Sequence, residues 1–330
     1  MRQPTMADIA RYAGVSRIAV SYALNDQPGV SRATRERIVG IARELGYRAN
    51  GPALALHGAA ARAVGLVMLR SSAAFTVEVF RRELIAGIQT ELCAHGFGLA
   101  LQLVADLDEE VAVHRRWGAE RRVDGVLMVD PRSDDPRMAT LDAIGLPAVV
   151  IGGSPQMHGL WTDDATAIAE LVDYLIAVGH RRLARVSGPA GFVHTQRRDA
   201  AFRRAPAEVT VVAGDYTGAC GARLTRELLR SRPRPTAIVY DNDVMAVAGL
   251  GVARELGLAV PADLSIVACE DSPLCQVVGP PLTVLKRDIV GFGRRAAGML
   301  FDTVATGERN SVQAETARLV IRRSTGPARS

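Results

Sequence analysis

The sequence predicts an α/β protein with an N-terminal three-helix helix-turn-helix head followed by two doubly wound parallel-sheet lobes. Three observations predict this. Short capped helices crowd residues 5–50 around a glycine turn. From Ala63 short apolar strands alternate with helices, the pattern of a parallel sheet covered on both faces. The same alternation starts again after Trp161-Thr162-Asp163-Asp164, so the pattern occurs twice.

In the head, Thr5 is a cap for a helix whose Met6, Ile9, Ala10 and Ala13 fall on one face. Gly14 ends it. Ser16 caps a second helix in which Ile18 or Ala19, Ala23 and Leu24 are available for packing, leaving Arg17, Ser21 and Tyr22 for another surface. Ser31 caps a third, arginine-rich helix whose Ile38, Ile41, Ala42 and Leu45 close a small core, with Gly46 at its end. Residues 1–62 hold nine arginines against four acidic residues, and this excess of five equals the net charge of the whole chain, +5. The rest is balanced. A cationic excess confined to the helix-turn-helix is what a polyanion-binding module requires.

Further on, the strands are 64–69, 99–104, 123–129 and 148–151, with helices at 79–94 and 109–120. Beyond the seam near residue 161 come helix 165–178, strand 182–186, helix 194–204, strand 209–213, helix 218–229, strand 237–240, helix 242–256 and strand 265–269. Two such lobes place a ligand cleft between them, at the carboxyl ends of the strands.

The 330 residues suffice for two or three domains, and 48% hydrophobic with 23% charged content is ordinary for a soluble globular protein. No apolar run reaches the roughly 20 residues needed to span a bilayer, and the N-terminus lacks a signal-peptide pattern, so a cytoplasmic location is expected. Cys93, Cys220, Cys269 and Cys275 show no CxxC spacing, and neither a metal site nor a cofactor is expected. Gly249-Leu250-Gly251 lacks the third glycine of a dinucleotide fingerprint and falls within a helical stretch; GxSxG, HExxH and GxxxxGK are absent. An enzyme is therefore not expected. His180 reads as a turn or capping residue and Asp243 as a helix-starting carboxylate.

The stretch GVSRIAVSYALNDQPGVSRATRERIVGIARELGYRAN resembles the DNA-binding segment of the lactose-repressor (LacI/GalR) family of bacterial transcription regulators. The resemblance continues in GHRRLA at 179–184, PTAIVYDNDVMA at 235–246, GLAVPADLSIVACED at 257–271, PPLTV at 280–284 and RRST at 322–325. It implies that the second helix enters the major groove, with Arg17, Ile18 and Ser21 facing base edges and Thr5, Ser16, Tyr22, Asn25 and Ser31 holding phosphates. Arg suits guanine and Ile a thymine methyl. It implies a hinge helix over 49–62, beginning near Asn50, with Ala53 at a close helix contact and Leu56 wedging into the minor groove. Ala49 and Gly51-Pro52 depart from the family pattern there.

The resemblance also implies periplasmic-binding-protein-like lobes between which the chain crosses three times: a head at 1–48, a first lobe at 63–161 plus 287–312, and a second at 162–286 plus 313–330. The helix near 289–303 would return to the first lobe and the strand at 318–322 to the second. Arg198, Asn242 and Glu270 stand where the family meets its effector, with Asp163, Phe80 and Phe75 as further candidates. An arginine fork and an amide beside a carboxylate suit the vicinal hydroxyls of a sugar; the competing reading pairs Arg198 with Glu270 or Asp271 across the cleft. The expected protein is a homodimeric repressor on a pseudo-palindromic operator, its recognition helices about 34 Å apart, controlled by a small molecule, with no membrane partner. The alternative is a cytoplasmic two-lobed sensor without specific DNA binding.

Overall fold

The computed structural model describes residues 4–24, 27–47, 60–69 and 79–329. The chain divides into two compact units, 1–61 and 62–330. Among the described residues no helix is long and apolar enough to cross a membrane.

The first unit contains α1 (Met6–Ala13), α2 (Arg17–Leu24) and α3 (Arg32–Glu44). Thr5 and Asp8 form a reciprocal capping box, each side chain accepting from the other's backbone N–H. Gly14 closes α1 in the left-handed region at φ 62°, which a residue with a Cβ adopts only with strain. Ser16 Oγ accepts from Ala19 N–H at 3.2 Å and Ser31 Oγ from Thr34 N–H at 3.3 Å. The core is Ile9, Ala10, Ala13, Val20, Ala23, Ile38 and Ala42. One packing expectation is corrected here. The apolar face of α2 runs through Val20 and Ala23, three residues apart, while Ile18 lies off that face and is 64% exposed.

The second unit holds two six-stranded sheets. In chain order its elements are β1 (Ala63–Leu69), α4 (Val79–Ala94), β2 (Gly98–Val104), α5 (Leu107–Glu120), β3 (Gly125–Met128), α6 (Pro136–Ala143), β4 (Ala148–Ile151), β5 (Gly159–Trp161), α7 (Asp164–Ala177), β6 (Arg182–Ser187), α8 (Val193–Phe202), β7 (Glu208–Ala213), α9 (Gly218–Arg230) and β8 (Ala237–Tyr240). There follow α10 (Asp243–Glu255), β9 (Ser265–Ala268), α11 (Pro273–Val277), β10 (Thr283–Lys286), α12 (Ile289–Thr306), β11 (Ser311–Gln313) and β12 (Arg318–Val320). One sheet has the order β11-β5-β4-β3-β1-β2, the other β12-β10-β9-β8-β6-β7. Among the described residues, every pairing between strands of these two sheets is parallel except β10 with β12.

The chain passes from one sheet to the other after β5, back between β10 and α12, and across again between β11 and β12. These passages gather at one edge of each sheet. α12 packs on α4 at close range: a Cβ on Gly87 would lie 2.0 Å from the Val290 carbonyl oxygen, so only glycine fits there. That approach sets the places of Leu84 and Phe292. Strand interiors are apolar on both faces, as parallel strands between helix layers must be.

Candidate functional site

Two surfaces carry functional groups, one in each unit. In the head, α2 turns Arg17, Ile18 and Tyr22 outward, with Ser21 half-buried beside them. Tyr22 is 38% exposed, and its ring covers Gly29. Arg35 of α3 closes the α2 terminus, donating to the carbonyls of Tyr22 at 3.1 Å and Ala23 at 3.2 Å. A helix carboxyl end gains from such a cation, so the exposed face of α2 is held on a fixed base. Thr5, Ser16 and Ser31 serve as caps, each at a helix start where N–H groups face outward. Asn25, Asn50, Ala53 and Leu56 lie outside the described residues.

The second surface is the cleft between the two lobes of the second unit, at the carboxyl ends of the strands as expected for this topology. The first lobe supplies apolar walls from Phe80, Leu84 and Phe292, with Arg81 and Asp130 as polar groups. The second lobe supplies His194, Arg198, Tyr216 and Glu270, and the crossing segments supply Thr162, Asp164 and Arg287. The cavity enclosed between these walls is only about 50 Å³. It is narrow in this conformation.

The centre of the second lobe's contribution is an ionic chain. Arg198 Nε donates to Asp164 Oδ1 at 2.9 Å and Nη1 to Asp241 Oδ1 at 3.0 Å. Asp241 also accepts from Arg185 Nη2 and from the Gly188 N–H, both at 2.6 Å, and Arg287 approaches Asp164 at 3.7 Å. Burial alone would raise both carboxyls. Arg185 and Arg198 outweigh it and hold Asp241 far below the usual range; Arg198 and Arg287 likewise lower Asp164. His194 Nε2 lies 2.9 Å from the Tyr216 hydroxyl. Burial, then the Arg198 charge, lowers the His194 pKa, while burial and Asp241 push the Tyr216 phenol well up. Both rings therefore face the cleft uncharged at neutral pH. In the first lobe Arg81 donates to Asp130 at 3.1 Å.

Of the sequence-predicted effector residues, the structure brings together Arg198, Glu270 and Phe80 in the cleft lining. Asn242 does not line it. This buried side chain caps α10, accepting from Met245 N–H at 2.9 Å, and donates to the Tyr216 carbonyl at 3.0 Å. Tyr216 sits at φ 67°, so Asn242 secures a strained turn that aims the Tyr216 ring. Asp163 is corrected likewise: it caps α7 through Thr166, and its neighbour Asp164 is the carboxylate in the cleft. Phe75 lies outside the described residues. Arg198 pairs with Asp164 and Asp241, while Asp271, one of the partners considered from sequence, pairs with both Nη atoms of Arg322 at 2.8 Å.

His180 is a buried strut between Thr236 Oγ1 at 2.8 Å and Ser265 Oγ at 3.0 Å. Sequence reasoning missed Asp164, Asp241, His194, Tyr216 and Arg287. The Asp pair at 163–164 and the acid before Asn242 were visible, but which of two adjacent residues faces a cleft depends on where a helix starts, and that is uncertain by a residue or two.

The family model for the lacI family of bacterial regulatory proteins matches residues 5–50, and that for a periplasmic binding protein-like domain matches 172–325. The HTH-type transcriptional regulator CelR of Thermobifida fusca is 33% identical over 336 residues, covering 97% of this chain and 96% of that protein. A structure of the transcriptional regulator CelR–cellobiose complex aligns with TM-score 0.73 and 29% identity, over 97% of this chain and 99% of that one. The lac repressor dimer bound to operator and the anti-inducer ONPF aligns with TM-score 0.84 and 26% identity, over 98% and 100%. An outward-facing second helix on a basic three-helix unit, a two-lobed cleft and similarity along the whole chain lead to one conclusion: the chain belongs to the LacI family of transcriptional regulators, with a DNA-binding helix-turn-helix and an effector-binding region.

Proposed function

We propose that the protein is a homodimeric repressor of a pseudo-palindromic operator, released when an uncharged sugar occupies the interlobe cleft. The proposed division is a head at 1–48, a hinge at 49–62, and lobes at 63–161 plus 287–312 and 162–286 plus 313–330. The observation that carries the ligand reading is the cleft lining itself: aromatic side chains Phe80 and Phe292 stand opposite polar groups on the other lobe, Arg198, His194 and Glu270. A sugar presents C–H faces to aromatic rings and hydroxyls that both donate and accept, and this lining matches both needs. Similarity to a regulator solved with cellobiose supports a disaccharide as the first compound to try.

Because the cleft is narrow, the ligand enters with the lobes parted and is enclosed as they close, and the change of lobe angle is what the first lobes transmit to the DNA-binding heads. Linkage makes the coupling reciprocal: the operator lowers sugar affinity by the same factor as the sugar lowers operator affinity. Capture of genomic fragments on the purified protein, followed by binding of the recovered site at rising salt and with cellobiose, tests the reading. One pseudo-palindrome with a steep salt slope and a cellobiose-dependent loss of affinity is expected. Sequence-independent binding that ignores every sugar in a panel overturns it.

A further inference from the structure

The mouth of the cleft is spanned by direct backbone contact between the lobes. On the first-lobe side is the loop after β3, residues 130–135. On the second-lobe side is the start of α8. Phe192 occupies the N-cap position of α8 but offers no side-chain hydrogen bond. The Val193 N–H, which has no acceptor inside its own helix, donates instead to the Pro131 carbonyl of the other lobe at 2.9 Å. Arg132 and Phe192 form an isolated antiparallel bridge, and the Arg132 guanidinium lies over the Phe192 ring at 5.6 Å from its centroid. Outside these, Ser133 Oγ donates to Gln196 Oε1 at 3.1 Å.

Each half of this contact is rigid within its own lobe. The loop is fixed from below by Arg137, which donates to the carbonyls of Val129 at 3.0 Å and Asp130 at 3.1 Å, and by Asp135, which accepts from Arg132 N–H at 3.0 Å. α8 is fixed to its own sheet by the bond from Arg185 Nε to Asp199 at 2.8 Å and by Arg198 on Asp241. The three crossings lie at one edge of the sheets, whereas this contact springs from β3 and from the connection after β6, further in. A rotation about the crossings separates the two halves as units without distorting either.

We propose that Pro131–Ser133 and Phe192–Gln196 form a latch in which one lobe caps a helix of the other, and that this latch must open for ligand to enter or leave. Asp130 and His194, each next to a latch residue, line the cavity, so opening withdraws both from the site. The step from latch to ligand control rests on the cleft being the effector site, as proposed above. The latch residues Arg132, Ser133, Phe192 and Gln196 do not line the cavity, so they can be altered without touching it.

Amide hydrogen–deuterium exchange on the full chain without ligand reads the latch directly, because among the described residues the acceptor for Val193 N–H is the Pro131 carbonyl across the mouth. In the wild type the Val193 amide is expected to exchange at least about tenfold more slowly than in an unfolded chain. Arg132→Ala combined with Ser133→Ala should accelerate it by about 5- to 30-fold, the factor expected for one or two lost contacts, leaving the β8 amides of residues 237–240 unchanged. An unprotected Val193 in the wild type overturns the proposal, as does a double variant whose exchange equals the wild type's. With cellobiose as the probe, the double variant should also release ligand faster. A latch that behaves as expected in a protein that ignores cellobiose overturns the ligand reading alone.

Discussion

Each lobe buries an arginine among carboxylates, and the two clusters have different uses. In the first lobe Arg137 donates to Asp135 at 2.9 and 2.6 Å, to Glu110 at 2.8 Å and to two carbonyls. Its donors are spent on its own lobe, it does not line the cleft, and it holds the mouth loop. In the second lobe Arg198 stands between Asp164 and Asp241 yet lines the cavity, as does Asp164. Burial and ion pairing are common to both. Both arginines lie on a helix that follows a strand's carboxyl end; what separates them is that Arg198 reaches the cavity, whereas Arg137 does not line it. A buried ion pair is thus weak evidence for a ligand site until its remaining neighbours are known.

The largest effect that tests this contrast is on stability. Asp241→Asn removes the charge that Arg185 and Arg198 share, at a fully buried side chain. About 3–5 kcal/mol of loss is expected, the range for breaking a buried pair, measured by urea unfolding. Asp135→Asn should cost somewhat less, since Glu110 still faces Arg137. Equal costs would show that the two clusters are energetically alike despite their different positions.

The second effect separates the clusters by pH. His114 is buried beside Arg137, neither of its ring nitrogens has a hydrogen-bond partner among the described residues, and burial followed by the Arg137 charge lowers its pKa to about 4. The unfolded chain therefore takes up the proton first as pH falls. Stability from the neutral ring is complete above about pH 6.5 and is lost progressively down to about pH 4, amounting to roughly 3 kcal/mol. His114→Leu should flatten that part of the acid profile in unfolding measured between pH 7 and 4. A profile with the same slope in both proteins would remove His114 as its source.

How far these sites were legible beforehand depends on element length. The capped head helices, the long helix at 79–94 and strands such as 148–151 and 237–240 follow from periodicity and composition, and the structure has them with those bounds or nearly so. β5 and β11 are three residues each, too short to show a period of two, so their places became visible only through pairing. α6, started by Asp135 and Pro136, was missed because its face is set by Arg137, a charged residue at a buried position. Within the cleft Arg198 and Glu270 were found by type and by resemblance. Asp164 was missed because Asp163 is equally acidic and one residue away, and Asp241 because its partners come from strands and helices far along the chain.

A smaller change asks whether the chemistry of Arg198 or its charge is what the cleft needs. Arg198→Lys keeps a cation between Asp164 and Asp241 but loses the fork that spans both. We expect about 1–2 kcal/mol of stability lost, less than for Asp241→Asn, and sugar affinity reduced at least about tenfold in calorimetric titration. Full sugar affinity in this variant would assign Arg198 to structure alone, alongside Arg137.

The smallest effect on folding belongs to the head, where a charged and an apolar side chain stand side by side without burial. Ile18 is 64% exposed and Arg17 is exposed on the same helix. Replacing either with Ala removes nothing from the head core, so stability should stay within about 0.5 kcal/mol. Their effects on DNA should differ in kind. Ile18→Ala removes an apolar contact that only a base edge can reward, so operator affinity should fall by about 1–3 kcal/mol with non-specific affinity unchanged. Arg17→Ala removes a charge as well, so it should weaken binding to both DNAs and lower the salt slope by about one. Fluorescence anisotropy on operator and scrambled duplexes at several salt concentrations separates the two. If Ile18→Ala weakened both equally, the exposed face of α2 would be a backbone contact, and the base-reading surface would have to be sought elsewhere on the head.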